Sequence, residues 1–336
     1  MRKFISLLLA LAMVFSLAIV ASAETTTDYK DKVDKSVNFN KTYEISNGTS
    51  PAETFAFSFI PYAAVDSDNT NIFASVKDKM PEIANVSVSF DALTATTDKD
   101  ISVSVTADDF PGLGVYTYQV NEVIPADKTA GVTYNETPVY LVITILRDED
   151  NNQQYVAAIH YSTADGVKTG TVTNKYEAGS LSVTKKITGN MANMEDTFNF
   201  TVTFTAPKGE VLKSDILMSV AGAEPTSVSY TSGAASATAT FELGHDMTAT
   251  FTNIPEGVTY TVEEDTPDDY VLKSEVYSDE SKTISDGDKD TAVFTNDKTQ
   301  GVDTGITLDS IPFVLILAVC AGAAVLFLIK RRSVEF

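Results

Sequence analysis

Two stretches of this 336-residue chain carry the same pattern, Tyr-x-Val-x-Glu, and that repeat limits what the chain folds into. They are Tyr118-Gln119-Val120-Asn121-Glu122, following Gly114, and Tyr260-Thr261-Val262-Glu263-Glu264, following Gly257. A strand alternates its side chains between two faces, so Tyr118, Val120 and Glu122 share a face, as do Tyr260, Val262 and Glu264. In both places a glutamate is aimed the same way as apolar residues. Two further stations repeat on either side of these strands. Val37-Asn38-Phe39-Asn40-Lys41 matches Leu181-Ser182-Val183-Thr184-Lys185, with two apolar residues and then a lysine on one face. Val172-Thr173-Asn174 matches Phe294-Thr295-Asn296, which puts an asparagine on the apolar face. Lys35, Lys186 and Glu263 lie close by as rivals, and Phe251-Thr252-Asn253 repeats the Phe-Thr-Asn pattern. Strand parity and the agreement of the two copies favour Lys41, Glu122 and Asn174 with Lys185, Glu264 and Asn296. Asn253 ranks second, because it precedes the glutamate strand.

Alternating apolar and polar residues predict strands at 37–45, 54–60, 86–90, 101–106, 115–123, 140–146, 155–161 and 171–176. The pattern restarts at Gly179, with strands at 181–187, 198–204, 228–230, 237–243, 248–251, 258–264, 270–277 and 291–295. Turn clusters such as Pro111-Gly112 and Asp165-Gly166 separate them, and long helical periodicity is missing. Short strands at this spacing predict an all-β chain of two tandem β-sandwiches. The boundaries fall at 24–178 and 179–298, followed by a linker and motif at 299–305.

Burying a lysine, a glutamate and an asparagine unpaired is costly, about 2–7 kcal/mol for the amide alone. Chemistry resolves the conflict. A lysine desolvated among apolar groups loses its proton and becomes a nucleophile, while burial keeps the glutamate protonated. The acid polarises the asparagine carboxamide and shuttles the proton as ammonia leaves. The product is a Lys–Asn isopeptide bond joining the first strand to the last in each sandwich. Lys41 and Asn174 are 133 positions apart, and Lys185 and Asn296 are 111 apart. Closing loops of that length restrains the unfolded chain about as much as a disulfide, ~4.7 kcal/mol in the chain-entropy picture. Tension on the termini would then pass through the cross-link.

Both ends of the chain bear on location. Arg2 and Lys3 precede an apolar run, and Ala21-Ser22-Ala23 supplies a cleavage site, so 1–23 is expected to be a signal peptide. An apolar run from Ile311 to Ile329 is long enough to cross a bilayer as a helix, and Lys330-Arg331-Arg332 places its end in the cytoplasm. The expected membrane segment is 306–330, with a tail of 331–336. Five of the 24 basic residues and two of the 46 acidic ones lie outside 24–305, leaving 19 against 44. So acidic a surface excludes nucleic acid as a partner. The one cysteine, Cys320, falls in the apolar run, so the ectodomain has no disulfide to reinforce it.

The order of signal peptide, two Lys…Glu…Asn sandwiches, Thr-Gly motif, apolar span and basic tail resembles a Gram-positive sortase-assembled backbone pilin of the two-domain streptococcal type. Tyr260 to Glu264, continuing to Tyr270, is similar to that family's E-box. The resemblance implies immunoglobulin-like sandwiches of the collagen-adhesin B type. It implies cleavage by a sortase transpeptidase between Thr304 and Gly305, in the motif Gly301-Val302-Asp303-Thr304-Gly305. That motif shares only Thr-Gly with the common Leu-Pro-x-Thr-Gly, so a specialised sortase is implied. The Thr304 carboxyl would pass to a lysine of the next subunit, or to cell-wall peptidoglycan at the base. No Tyr-Pro-Lys motif is present; the related pilin places its linking lysine shortly before the first sandwich's closing asparagine, and the resemblance implies Lys168 as the candidate. The implied partners are the sortase, other pilin subunits, peptidoglycan and, for an adhesive role, host surface ligands.

Other chemistry is thin. His160 and His245, with no external cysteine, make no zinc site, and no phosphate-binding glycine loop is present. No metal, cofactor or turnover activity is expected. The alternative function is a wall-anchored stalk, minor pilin or adhesin that does not polymerise.

Overall fold

The computed structural model describes residues 33–150, 152–300 and 311–332. The expected signal peptide and the Thr304-Gly305 motif lie outside the described residues. In chain order the first strands are β1 (Asp34–Ile45), β2 (Glu53–Val65), β3 (Val86–Phe90), β4 (Thr97–Thr106) and β5 (Gly114–Val123). They are followed by β6 (Lys128–Thr129), β7 (Val132–Thr133), β8 (Val139–Arg147), β9 (Gln154–Ser162) and β10 (Thr171–Tyr176). The second half begins with β11 (Ala178–Thr188), β12 (Phe198–Thr205), β13 (Glu210–Val211), β14 (Leu217–Val220) and β15 (Thr226–Ser227). It ends with β16 (Ser236–Leu243), β17 (Thr248–Pro255), β18 (Thr259–Asp265), β19 (Val271–Tyr277) and β20 (Lys289–Asp297).

These strands form two all-β sandwiches. In the first, the sheet β4-β1-β10-β7 faces the sheet β3-β2-β5-β8-β9; in the second, β15-β14-β17-β11-β20-β19 faces β16-β12-β18. The alternation read from the sequence is what closes them. In β1, Phe39 and Tyr43 point inward, and Phe39 meets Phe57 and Tyr161 edge-on while Tyr43 meets Phe55 and Phe90. In the second core Phe200 packs against Phe241 and Phe294, and Phe251 against Phe204. Aromatic pairs at these separations add about 0.5–1.5 kcal/mol each beyond the area they bury. One expected strand is not formed: 228–230 lies outside the ladders. The β-branched and aromatic residues that suggested it are anchored singly instead, with Val228 N–H donating to the Ile216 carbonyl and Tyr230 hydroxyl to that of Ser214. Strand β14 went unrecognised because its half-buried residues carry no alternation.

A single residue, Glu177, separates β10 from β11, and the two sandwiches are bonded where they meet. Strand β6 pairs in parallel with β13. Glu53 accepts from Thr129 Oγ1 and, at 3.0 Å, from Lys213 Nζ across the junction. Asp286 accepts from Asn47 Nδ2 at 2.6 Å and Ser46 Oγ at 2.9 Å. The centre of this joint is Asn253, held at φ +59°. Its side chain accepts from Thr49 N–H at 2.8 Å and donates to the carbonyls of Thr49 and Asp215 at 3.0 and 2.9 Å. Tyr176 hydroxyl also donates to it. Gly48 must be glycine here: with φ at +80°, a Cβ would stand 2.2 Å from Asn253 Oδ1.

The C-terminal helix, α1 (Ile311–Arg332), has 22 residues, with side chains described over 315–325 only. It includes Arg331 and Arg332, which the sequence places in the tail. Among the described residues no helix is long and apolar enough to cross a membrane. The apolar run 311–329 reaches past both ends of the described side chains.

The joint predicts a specific loss. Asn253→Gly keeps the backbone conformation but removes the bridge, leaving the Thr49 and Asp215 groups without a partner. Stability should fall by about 1–3 kcal/mol. Urea denaturation measures the loss, and hydrogen exchange should rise at Thr49 more than in either core.

Candidate functional site

Each sandwich buries one Lys–Glu–Asn cluster, and the same elements supply it in both. The lysine lies on the opening strand, β1 or β11, and the asparagine on the closing strand, β10 or β20. These strands are adjacent and parallel. Lys41 is opposite Val172 and Asn174 opposite Tyr43; Lys185 is opposite Phe294 and Asn296 opposite Ile187. In both pairs the asparagine is offset by two residues from the lysine, so both point into the core from one sheet. The glutamate arrives from the facing sheet: Glu122 on β5 opposite Phe57, and Glu264 on β18 opposite Phe200.

In the first cluster Lys41 is fully buried and the Glu122 side chain is 1% exposed. Lys41 Nζ lies 3.2 Å from Glu122 Oε2 and 2.5 Å from Asn174 Oδ1. Asn174 Nδ2 donates to the other carboxylate oxygen, Glu122 Oε1. One glutamate thus touches both the nucleophile and the amine that would leave. Asn135 N–H donates to Asn174 Oδ1 at 3.2 Å. Phe55 and Phe57 flank the ammonium, 4.6 and 5.7 Å from Nζ to ring centroid. Burial pulls the Lys41 pKa down to about 8 against the opposing pull of Glu122. Burial likewise raises Glu122 above the ordinary carboxylate range, opposed by Lys41, by Asn174 and by the Asn135 N–H.

The second cluster is built alike but bonded more sparsely. Lys185 Nζ lies 2.6 Å from Glu264 Oε1, and Asn296 Nδ2 donates to that same oxygen at 3.1 Å. The Lys185 contact is an ion pair without hydrogen-bond alignment, and Asn296 Oδ1 has no hydrogen-bond partner among the described residues. Burial lowers the Lys185 pKa, with Glu264 opposing. The Phe198 ring lies 4.2 Å from Nζ and packs edge-on against Tyr270, whose hydroxyl donates to Asp196 at 2.7 Å. Tyr270 therefore supports the lysine pocket from behind.

The rivals fall elsewhere. Lys186 and Glu263 are exposed, Lys35 lies opposite Val105 near the start of β1, and Asn253 is committed to the joint. Lys168 is exposed between β9 and β10, where its backbone bridges Ser162. Its charge adds to burial in holding His160 below the usual imidazole value. Residue type gave no signal for Asn135, whose contribution is a backbone N–H.

The known proteins that this chain resembles are streptococcal pilins. The chain is a homologue of one of them: it is 28% identical over 311 residues, 86% of its length and 88% of the relative's, to a pilin of Streptococcus pyogenes serotype M1. Its fold is shared with the major pilin of Streptococcus pyogenes, at 20% identity and a TM-score of 0.51 over 80% of this chain and all of that one. The major pilin T3.2 of S. pyogenes serotype GAS13637 gives 18% identity and 0.51 over 78% of this chain and 97% of that one. Residues 179–298 match a family described as a domain of unknown function, DUF7601.

The paired pKa shifts define a pH profile for any reaction at the first cluster. The competent state holds one proton between amine and carboxyl, so both extremes of pH deplete it. Bond formation should follow a bell, with its alkaline limb near pH 8 and its acid limb above the ordinary carboxylate range. Initial rates of ammonia loss, read by mass spectrometry across pH, would show it. Glu122→Ala should abolish the loss at this cluster. With the lysine left buried and unpaired, the sandwich should also be destabilised by about 3–5 kcal/mol.

Proposed function

We propose that this chain is the structural shaft subunit of a covalent cell-surface pilus, cross-linked internally by Lys41–Asn174 and Lys185–Asn296 isopeptide bonds. The observation that carries it is the recurrence of the Lys–Glu–Asn contact, at the same two-residue offset between first and last strands, in both sandwiches of a pilin homologue. In each cluster the neutral lysine amine attacks Cγ of the asparagine. The Nζ–Cγ bond forms, the Cγ–Nδ2 bond breaks, and the glutamate carries a proton from Nζ to Nδ2, which leaves as ammonia. Each cluster reacts once and is consumed by the bond it makes, so the protein is not a turnover enzyme.

Assembly follows from the ends. The apolar run 311–329 holds the precursor in the membrane with Lys330–Arg332 on the cytoplasmic side. A sortase cleaves between Thr304 and Gly305 and passes the Thr304 carboxyl to Lys168 of the next subunit. At the base of the shaft the acceptor is peptidoglycan. The two sandwiches at 24–178 and 179–298 form the exposed shaft, on which host surface ligands would act.

The intact mass of recombinant residues 24–304 tests the internal bonds: it should be lighter than the sequence by two ammonia molecules, and a mass matching the sequence would refute them. Polymerisation is read from the cell surface. Wild type should give a ladder of high-mass species that survives boiling in detergent, collapsing for Lys168→Ala. A single wild-type band would leave the non-polymerising stalk.

A further inference from the structure

The two clusters differ at the asparagine oxygen. As the lysine adds to the carboxamide, negative charge gathers on the asparagine Oδ1 before ammonia departs. In the first sandwich that oxygen already receives the Asn135 N–H at 3.2 Å, an N–H that also faces the Glu122 carboxylate. In the second, Asn296 Oδ1 is buried with no donor among the described residues. We propose that the Asn135 backbone N–H is an oxyanion donor for the Lys41–Asn174 bond, and that the first sandwich therefore closes before the second. This rests on the isopeptide chemistry proposed above.

The local fold holds this donor in place. Strand β7 ends at Thr133, which pairs with Lys175, one residue beyond the reacting asparagine. Tyr134 is then pinned from two sides: its hydroxyl accepts Thr129 N–H at 3.3 Å, and its ring packs against Phe55, the ring nearest Lys41 Nζ. The Asn135 side chain accepts Thr137 N–H at 2.9 Å, closing a turn that leaves its own N–H directed at the cluster. A donor fixed before the reaction needs no reorganisation as charge develops, which is the condition under which such donors accelerate acyl transfer most. In the second sandwich the Thr266 hydroxyl donates to Glu264.

The test follows both bonds in one molecule. The full-length chain is made by cell-free translation in detergent, synthesis is stopped, and samples are digested over time. Mass spectrometry of the two cross-linked peptides reports each bond separately. The Lys41–Asn174 peptide should mature at least tenfold faster than the Lys185–Asn296 peptide. Asn135→Pro, which deletes the N–H, should slow the first bond tenfold or more, toward the ~10²-fold typical of a lost oxyanion donor, and leave the second unchanged. Asn135→Ser, which keeps the N–H and a side-chain acceptor for Thr137 N–H, should stay near the wild-type rate. Equal rates in wild type, or a slower first bond, would overturn the proposal whether or not the proline variant folds. So would equal slowing by serine and proline. Absence of both cross-linked peptides would refute the isopeptide chemistry itself, an outcome distinct from two bonds forming in the wrong order.

Discussion

The structure depends on keeping two lysine amines out of water. An ammonium among phenylalanine rings is expensive, and a single carboxylate offsets only part of the cost. Lys41 between Phe55 and Phe57, and Lys185 over Phe198, are therefore the least comfortable groups in otherwise apolar cores. The same discomfort favours a neutral amine, and a neutral amine beside a polarised carboxamide reacts. Forming the amide removes the buried charge altogether. In the proposed reaction the cores thus become better satisfied by reacting than they were on folding.

Topology sets when this happens. The lysine and asparagine are neighbours on one sheet, but the glutamate comes from the sheet opposite. A single sheet would hold a nucleophile and an electrophile without a proton carrier. Only when the sandwich closes do all three meet, which would tie the proposed bond formation to completed folding and guard against cross-links in misfolded chains. The entropy of bringing residues 133 positions apart together is met by folding, before any bond forms.

The cluster residues were legible because strand parity and repetition both point at them. A lysine two residues after Phe39 must face the core, and its counterpart after Val183 repeats the anomaly. Parity also sets aside Lys186 and Glu263. Asn253 was ambiguous for a physical reason: its Phe-Thr-Asn context copies the closing strand, while its role lies in bonds to Thr49 and Asp215, one in the other sandwich. No periodicity within a strand encodes a partner two hundred positions away. The Asn135 contribution was invisible in principle, since every residue except proline carries the same N–H. The 228–230 segment shows the opposite failure, with strand-forming residue types held by isolated anchors where no partner strand runs alongside.

The one-residue link between β10 and β11 has a consequence for shape. Most two-domain proteins bend at a linker of several residues, but here Glu177 alone connects the sandwiches, and Asn253, Asp286, Glu53 and the β6–β13 pair lash the two sides together. The subunit then has no internal elbow. A filament assembled from such subunits would concentrate its compliance between them, so its persistence length would be set by the inter-subunit connection and its contour would bend in steps one subunit long.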